Sequence, residues 1–464
     1  MLRKIRIAAA AFFFVLTTLL FLDFTGTLHA WFGWMAKIQF LPALLALNVG
    51  VVAFLVILTL LFGRVYCSVI CPLGVMQDIV SWASGKRRKH RNRFAYSPAL
   101  TWLRRGMLVV FVAAMLAGVG SLLAPYSAYG RIASNLLAPV YAWGNNLLAY
   151  IAGRMDSYAF YSVDVWMKSL STLLVAVVTF AVLFVLAWRS GRTYCNTICP
   201  VGTVLGFLAR YSLFKPRFDT SKCNGCKLCA RNCKASCIDP AAHKIDYSRC
   251  VACMDCLENC RQGAITYTLR RRKPDPAPAP QRPAADAAKT PSDASRRRFL
   301  GLAGIVAYSA LRAQEKKVDG GLAVIVDKKI PNRATPVVPP GAQSLRHFNA
   351  HCTGCQLCVS VCPNQVLRPS GKLMTLMQPE MSFERGYCRP ECTKCAEVCP
   401  TGAIRLTDLA GKSSIQIGHA VWIAENCEVN TDGVSCNNCA RHCPAGAIKM
   451  VRRDPDDPKS PRIP

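Results

Sequence analysis

The stretch G-R-V-Y-C-S-V-I-C-P-L-G, residues 63–74, recurs as G-R-T-Y-C-N-T-I-C-P-V-G at residues 191–202. The two copies agree without gaps at their Gly, Arg, Tyr, Cys, Ile, Cys, Pro and Gly positions, and each directly follows a long apolar segment. On a helix, the i, i+4 spacing of Cys67 and Cys71 would place both sulfurs on one face. The proline suits the first turn of the next helix. This internal repeat predicts a domain built from two similar halves.

Four apolar segments approach the roughly 20 residues that a helix needs to cross a hydrocarbon core about 30 Å thick. They cover residues 7–22, 38–62, 100–124 and 170–188. The first segment follows a basic amino terminus, as in a signal peptide, but no small-residue cleavage site comes before the next apolar run. We therefore predict a four-span membrane domain over residues 1–210.

The positive charge lies beside these apolar segments. The chain of 464 residues has a formal net charge of +31, yet residues 319–464 contain 17 Lys and Arg against 13 Asp and Glu. A basic cluster occupies residues 86–93, whereas the loops 23–37 and 125–168 carry few cations. This distribution follows the positive-inside rule and argues against nucleic-acid binding.

The same rule orients the membrane domain. The amino terminus and the basic cluster are predicted to be cytoplasmic. Both copies of the repeat then emerge on the cytoplasmic side, with the two halves related about an axis along the membrane normal. Four thiols can converge there as a further metal centre, with structural thiols or a redox-active dithiol pair as the alternatives: Cys67, Cys71, Cys195 and Cys199.

Residues 211–270 contain the spacing C-x2-C-x2-C-x3-C twice. In two-cluster bacterial ferredoxins with this spacing, the fourth cysteine of each run binds the other cluster. The predicted ligand sets are Cys223, Cys226, Cys229 and Cys260 for one cluster, and Cys250, Cys253, Cys256 and Cys233 for the other. Zinc is the alternative metal, and a disulfide framework is disfavoured in a reducing cytoplasm.

Three residues of this module depart from the usual pattern. Lys234 and Arg261 stand where proline usually follows the fourth cysteine. Cys237 is left over, either as a free buried thiol or as a substitute ligand.

A change of composition follows this module. Residues 271–294 form a Pro- and Ala-rich linker that would reach roughly 65 Å if extended. Residues 295–318 begin with S-R-R-R-F-L and continue into a short apolar run. A twin arginine before such a run is an export signal for folded cargo. The alternatives are a stop-transfer charge cluster, a buried helix, or a short fifth apolar segment that stays as an anchor.

Residues 319–464 hold three further cysteine runs. They are Cys352, Cys355, Cys358 and Cys362; Cys388, Cys392, Cys395 and Cys399; and Cys427, Cys436, Cys439 and Cys443. These twelve cysteines allow up to three four-iron clusters, and residues 401–404 and 445–448 are predicted to continue their runs as short strands. Runs normally exchange ligands in pairs, so one of the three must keep its own fourth cysteine or find another partner.

Other cofactor chemistry is not indicated. No C-x-x-C is followed by His, and the dinucleotide and phosphate-loop motifs are missing. No Ser-His-Asp or paired-carboxylate constellation stands out. A series of one-electron centres next to a membrane indicates quinol as the donor.

The four spans, the duplicated motif and the eight-cysteine module resemble NapH, the membrane ferredoxin-type quinol dehydrogenase of periplasmic nitrate reduction. Residues 295–464 resemble NapG, the exported ferredoxin that partners it, but with three cysteine runs instead of four. The flavin-binding domain of the relatives in nitrous oxide respiration has no counterpart here. The resemblance implies that the chain oxidises quinol at the inner membrane and passes electrons to a periplasmic reductase or carrier.

The fold expected from these patterns is multi-domain: an α-helical membrane domain with two α+β ferredoxin-like iron-sulfur domains, the first cytoplasmic and the second periplasmic. About 30 Å of hydrocarbon would separate the two, too far for one useful electron step. Candidates for the proton acceptor at a quinol site are Asp23, His29 and Asp78. The alternative functions are a redox maturation or regulatory factor for a respiratory metalloenzyme, or an iron-sulfur scaffold.

Overall fold

The computed structural model describes residues 1–23, 25–87, 93–117, 122–165, 168–269, 333, 335–384, 386–405, 408–418, 421–443 and 446–464. Most of the basic cluster, the predicted linker 271–294 and the twin-arginine segment 295–318 lie outside these ranges. The chain divides into two compact units, Met1–Ile415 and Gln416–Pro464. The predicted domain 319–464 therefore contributes to both units.

The first unit begins with a series of helices. In chain order they are α1 Leu2–Leu22, α2 Thr27–Phe32, α3 Trp34–Lys37, α4 Phe40–Leu45, α5 Val49–Phe62, α6 Val65–Val69, α7 Pro72–Gly85, α8 Thr101–Leu116, α9 Pro125–Ile132, α10 Ala138–Arg154, α11 Leu170–Ser190, α12 Thr193–Thr197 and α13 Pro200–Ala209.

Within the described ranges, two helices are long and apolar enough to cross a membrane, α1 and α11. The predicted second span is not one continuous helix, because it divides between α4 and α5. Leu47 has a left-handed φ of 53°, and the Asn48 side chain caps α5 by accepting a hydrogen bond from Val51 N at 3.2 Å. The predicted third span contains the shorter helix α8, which ends at Leu116. Four spans remain a proposal.

The repeat folds the same way in both copies, as a short helix, a break and a second helix. Pro72 and Pro200 occupy the first turns of α7 and α13, as expected. The cysteines do not share a helix, however. Cys67 lies in α6, whereas Cys71 is extended, with φ −72° and ψ 113°, and caps α7. The break arises because the residue before a proline is biased away from the helical region.

The segment read as the loop 125–168 is mostly helical. A π-helical turn, Ala133–Leu137, joins α9 to α10. Every residue of α9 is buried, and this helix packs against α7 and α11. Its tyrosines hold it on α1: the Tyr126 ring lies 5.6 Å from that of Phe21, and Tyr129 Oη is 2.5 Å from Thr18 Oγ1.

Both cysteine modules of the first unit combine short helices with antiparallel strand pairs. In residues 211–269, β1 Phe214–Phe218 pairs with β4 Ile265–Leu269, and β2 Ile238–Asp239 pairs with β3 Lys244–Ile245; the helices are Leu228–Arg231 and Asp255–Asn259. In residues 335–405, β5 Leu367–Pro369 pairs with β6 Pro379–Met381; the helices are Leu345–His351, Leu357–Ser360 and Lys394–Val398. We call residues 211–269 the first module and residues 335–405 the second module. The α+β expectation is confirmed for both.

The strand predicted at residues 401–404 is wrong. This segment is a turn, in which Gly402 has a left-handed φ of 69°. The Ile404 amide donates to Cys399 Sγ at 3.5 Å, and the Arg405 amide donates to Gly341 O at 3.1 Å. The backbone therefore wraps a cysteine sulfur instead of extending a sheet. The first unit ends with the helix Leu409–Ser414.

The second unit is small. It contains the helices Glu428–Thr431 and Asn438–Arg441 and the strand pair β7 Val451–Arg452 with β8 Arg462–Ile463. The expected strand at 445–448 is not present at 446–448, and residue 445 lies outside the described residues. The Ala447 amide instead donates to Cys443 Sγ at 3.3 Å.

The two modules of the first unit contact opposite ends of α1. At its amino-terminal end, Arg3 Nε lies 2.8 Å from Asp255 Oδ1 of the first module. Just beyond its carboxyl-terminal end, Thr25 O accepts a hydrogen bond at 3.3 Å from Lys394 Nζ of the second module. At 1.5 Å per residue, α1 separates these contacts by about 30 Å.

Candidate functional site

The first module brings together the cysteines that the sequence pairs across its two runs. Cys223, Cys226, Cys229 and Cys260 line one pocket. Three of them come from the first run and the fourth from the second run. Burial raises the pKa of the Cys229 thiol to about 11. Such a thiol becomes a thiolate at neutral pH when a metal replaces its proton, so four thiols around this pocket fit an iron-sulfur cluster.

The other four cysteines of this module form a second group. Cys256 lies near enough to Cys253, Cys250 and Cys233 to interact with them electrostatically. Within the described part of the chain, no group of three or more His, Cys, Asp or Glu side chains is arranged to hold a single metal ion.

Cys237, the unassigned cysteine, belongs to this second group. Its Sγ lies 3.6 Å from Cys233 Sγ, within hydrogen-bond distance, and it also interacts electrostatically with Cys250. The side chain is 1% exposed, so it is a buried thiol next to two proposed ligands.

We expect Cys237→Ala to keep the iron content of the protein and to make one cluster harder to reduce. A hydrogen bond to a ligand sulfur stabilises the more negative reduced cluster. Its loss should cost about 1 kcal/mol, or roughly 40 mV for a one-electron couple. An EPR-monitored redox titration measures this shift. Loss of a cluster in Cys237→Ala would instead identify Cys237 as a ligand, and Cys233→Ala is the control that loses the cluster.

In the second module, too, the fourth cysteine of each of the first two runs lies with the cysteines of the other run. Cys362, from the first run, lines a pocket with three cysteines of the second run: Cys388, Cys392 and Cys395. Cys399, from the second run, interacts electrostatically with three cysteines of the first run: Cys352, Cys355 and Cys358. Burial raises the pKa of the Cys395 thiol to about 12, which again fits a metal-bound thiolate.

This grouping leaves the third run of residues 319–464 without a partner run. Its cysteines all lie in the second unit: Cys427, Cys436, Cys439 and Cys443. The pairing of the runs follows this division of the chain, which the spacing of the cysteines did not reveal.

The duplicated motif brings a further four cysteines together. Cys67, Cys71, Cys195 and Cys199 are all buried, and Cys199 interacts electrostatically with the other three. Gln77 also belongs to this site, because its Nε2 lies 3.3 Å from Cys195 Sγ. No motif in the sequence pointed to Gln77.

Each copy of the motif sends its arginine across to the other copy. Arg64 donates hydrogen bonds to Asn196 Oδ1 at 2.8 Å and to Cys195 O at 3.1 Å. Arg192 donates to Cys67 O at 2.8 Å. Both arginines are 0% exposed, so the halves of the repeat are joined by two buried guanidinium groups.

Asp78 anchors a network of buried ion pairs. Its carboxylate contacts Arg6 at 2.9 Å, Arg192 at 2.8 Å and Lys234 at 3.4 Å. Burial alone would raise the pKa of Asp78, but the surrounding cations outweigh it and hold that pKa below its usual range. An ionised carboxylate with three cationic partners is a poor proton acceptor, so the geometry favours a structural role over the quinol-site role considered above.

Lys234 explains one departure from the ferredoxin pattern. Its Nζ also lies 2.9 Å from Asp255 Oδ2 in the first module. The lysine that replaces the usual proline therefore links the first module to the duplicated motif.

The candidates Asp23 and His29 are neighbours. Asp23 Oδ2 lies 3.0 Å from His29 Nδ1, and Oδ1 accepts hydrogen bonds from Thr25 and Gly26. Burial alone would raise the pKa of Asp23, but the hydrogen bonds from His29 and Thr25 hold it below its ordinary value. The His29 side chain is 7% exposed, and its buried Nε2 has no hydrogen-bond partner among the described residues.

Family models match three parts of the chain. The model described as "4Fe-4S binding domain" matches residues 44–90 and 172–221, which contain the two copies of the repeat. The model described as "4Fe-4S dicluster domain" matches residues 351–403 in the second module. No solved structure matches.

The curated relatives include ferredoxin-type proteins. The chain is 28% identical over 172 residues to the methylamine utilization ferredoxin-type protein MauN of Paracoccus denitrificans, covering 37% of this chain and 48% of MauN. It is 29% identical over 195 residues to the ferredoxin-type protein NapH of Escherichia coli K12, covering 42% of this chain and 55% of NapH. An uncharacterized protein of Methanocaldococcus jannaschii, MJ0749, is 25% identical over 46% of this chain and 68% of its own length.

The chain thus spans about half the length of MauN and NapH. It is homologous to NapH-type ferredoxin proteins, and it is an iron-sulfur protein of the electron-transfer type with 4Fe-4S binding domains.

Proposed function

We propose that this protein is a membrane-bound quinol dehydrogenase component, which oxidises quinol and passes electrons through [4Fe-4S] clusters to a reductase or carrier outside the inner membrane. The observation that carries the proposal is the placement of the two cysteine modules at opposite ends of α1. The twenty ferredoxin-type cysteines would hold five clusters. Two of these clusters would lie in the first module, two in the second module and one in the second unit.

The exposed surface of the helices supports a membrane domain with four spans. Large apolar side chains point outward from three of them: Phe54 on α5, Val109 on α8 and Val178 on α11 are 60–67% exposed. Exposed apolar surface of this extent marks contact with lipid or with another protein. With the first module on the cytoplasmic side, the second module would lie on the periplasmic side, as the NapG-like interpretation requires.

The Asp23–His29 pair supports a quinol site near the second module. Oxidation of one quinol releases two electrons and two protons. A histidine held through Nδ1 by a carboxylate can accept a proton at its free Nε2. The adjacent Thr25 contacts Lys394, which lines the pocket of Cys362, Cys388, Cys392 and Cys395. Electrons would enter at this cluster.

We expect His29→Gln to slow quinol-driven cluster reduction by at least about tenfold. Glutamine can still donate a hydrogen bond to Asp23 but cannot take up the proton. Stopped-flow bleaching of cluster absorbance after addition of a quinol analogue measures this rate. Reduction by dithionite, which needs no proton acceptor, should be unchanged. His347→Gln, in the second module, is the matched control and should react at the wild-type rate.

The direct test of the proposal uses anaerobic membranes that contain the full chain. Adding a short-chain quinol should produce the EPR signals of reduced clusters within seconds. The absence of reduction by quinol, with normal reduction by dithionite, would contradict the proposal and favour a redox maturation factor. In that case an acceptor enzyme would be inactive when made without this protein, but would accept artificial electrons once made with it.

A further inference from the structure

The four cysteines of the duplicated motif are buried in one site. Their exposed fractions lie between 5% and 6%, and Cys71 interacts electrostatically with both Cys67 and Cys195. Four cysteine thiolates are the complete ligand set of an iron-sulfur cluster. The family model described as "4Fe-4S binding domain" spans each copy separately, whereas the structure places the thiols of both copies together.

The remaining residues of the motif form the walls of this site. A Cβ on Gly74 would lie 2.6 Å from Arg192 Nη1, and a Cβ on Gly202 would lie 2.9 Å from Arg64 Nη2. The last glycine of each copy thus makes room for the arginine of the other copy. Each guanidinium also approaches a thiol, since Arg64 Nη2 lies 3.8 Å from Cys67 Sγ and Arg192 Nη1 lies 3.8 Å from Cys195 Sγ.

The two arginines differ in one respect that points to an anion at the site. Arg192 is paired with Asp78. Arg64 has no carboxylate partner among the described residues, and its buried Nε has no hydrogen-bond partner there. A buried cation without a counter-charge is strongly destabilising. An iron-sulfur cluster with four thiolate ligands would supply the negative charge that Arg64 faces.

The site lies next to the first module. Arg64 Nη1 donates to Ser248 O at 3.2 Å and to Arg249 O at 3.5 Å. Arg249 directly precedes Cys250, a proposed ligand, with Cys233, Cys253 and Cys256, of one cluster of the first module. One guanidinium group therefore bridges the four-thiol site and the backbone of that cluster-binding run.

A series of contacts through α9 also links the four-thiol site to the second module. Tyr194, which precedes Cys195, donates from Oη to Leu123 O at 3.5 Å. Buried Arg131 on α9 donates to Leu122 O at 3.0 Å. The neighbouring Gly130 packs so closely that a Cβ there would clash with Cys355 O. The buried helix α9 thus connects the site with a proposed ligand of the second module.

We propose that Cys67, Cys71, Cys195 and Cys199 hold one iron-sulfur cluster that relays single electrons between the first and second modules. In each step a reduced cluster of one module loses one electron to the relay, and the relay passes it to an oxidised cluster of the other module. No bond changes and no proton is required. This inference rests on the proposed iron-sulfur function, but not on quinol as the donor.

The first test counts the metal of the full chain, purified anaerobically. The double variant Cys67→Ser/Cys195→Ser should lose one cluster, about four iron atoms if it is a four-iron cluster, and should keep the EPR signals of the ferredoxin-type clusters. Iron content equal to that of the wild type would overturn the proposal, as would zinc at this site.

Two single variants, Arg64→Gln and Arg64→Lys, test the effect of the Arg64 charge on the potential of the relay. Neither variant removes a cysteine ligand. In Arg64→Gln the relay should be reduced only at a more negative potential, because the positive charge that stabilises its reduced form is gone, and Arg64→Lys should restore most of the shift. The matched control is Arg104→Gln, which removes another buried guanidinium that binds Ser248 O. A potential in Arg64→Gln that matches that of Arg104→Gln would overturn the proposal, even if the cysteine variants fail to load any cluster.

Electron crossing is measured in inside-out membrane vesicles with dithionite, a membrane-impermeant reductant, added to the outer solution. Freeze-quench EPR then follows the clusters of the second module. The wild-type protein should reduce them, and Arg64→Gln and Cys195→Ser should do so at least tenfold more slowly. Equal rates in all three proteins would overturn the relay. Dithionite bypasses quinol, so a failure of quinol oxidation leaves this result unaffected.

Discussion

Cys226→Ala and Cys260→Ala are expected to abolish the same iron-sulfur cluster, although the two cysteines belong to different runs. Both line the same pocket in the first module. Each variant should lose about four iron atoms per chain and one EPR signal. Cys233→Ala should remove the other cluster of this module, because Cys233 groups with Cys250, Cys253 and Cys256.

Iron analysis and EPR spectra resolved by potential distinguish the two arrangements. If each run held its own cluster, Cys260→Ala would remove the same signal as Cys256→Ala and would leave the signal that depends on Cys226. That outcome would contradict the exchange of ligands. The same experiment applies to the second module, where Cys362→Ala and Cys392→Ala should remove one common cluster.

Asp78→Asn is expected to lower the free energy of unfolding by about 3–5 kcal/mol, the effect of removing one partner from a buried ion pair. The substitution keeps the shape of the side chain but leaves Arg6, Arg192 and Lys234 without their common counter-charge. Because Arg192 and Lys234 join the repeat to the first module, the cluster signals should also be lost at a lower temperature. Thermal unfolding of the detergent-solubilised protein under anaerobic conditions measures both effects.

Glu258→Gln is the matched control for this prediction. Glu258 is also paired with a cation, Arg3, but its side chain is 48% exposed. Exposed ion pairs contribute about 0–1 kcal/mol, so this variant should unfold close to the wild-type temperature. Similar small effects in both variants would show that Asp78 does not anchor the buried ion-pair network.

The spatial grouping of the cysteines was predictable from the sequence because ligand spacing is a local property. Exchange of the fourth cysteine follows from C-x2-C-x2-C-x3-C, and the structure places Cys260 with Cys223, Cys226 and Cys229 as expected. The internal repeat likewise indicated that the thiols of its two copies could converge, and the structure brings Cys67 and Cys195 into one buried site.

Long-range packing was not predictable in this way. Residues 125–168 were predicted to be a loop between two spans, yet α9 is a buried helix that packs against α7 and α11. The polar groups of α9 find partners far along the chain, as Tyr129 does with Thr18. In the sequence, Lys234 is only a departure from the ferredoxin pattern. In the structure it forms an ion pair with Asp78. Such partners are set by the tertiary fold and leave no periodic signal.

The decisive measurement is the content of iron and acid-labile sulfide in the full chain purified without oxygen. We predict about 20 iron atoms per chain from the five ferredoxin-type clusters, a matching amount of sulfide, and an additional cluster at the duplicated motif. Zinc in place of iron, or the absence of both iron and sulfide, would show that this chain does not carry electrons on iron-sulfur clusters.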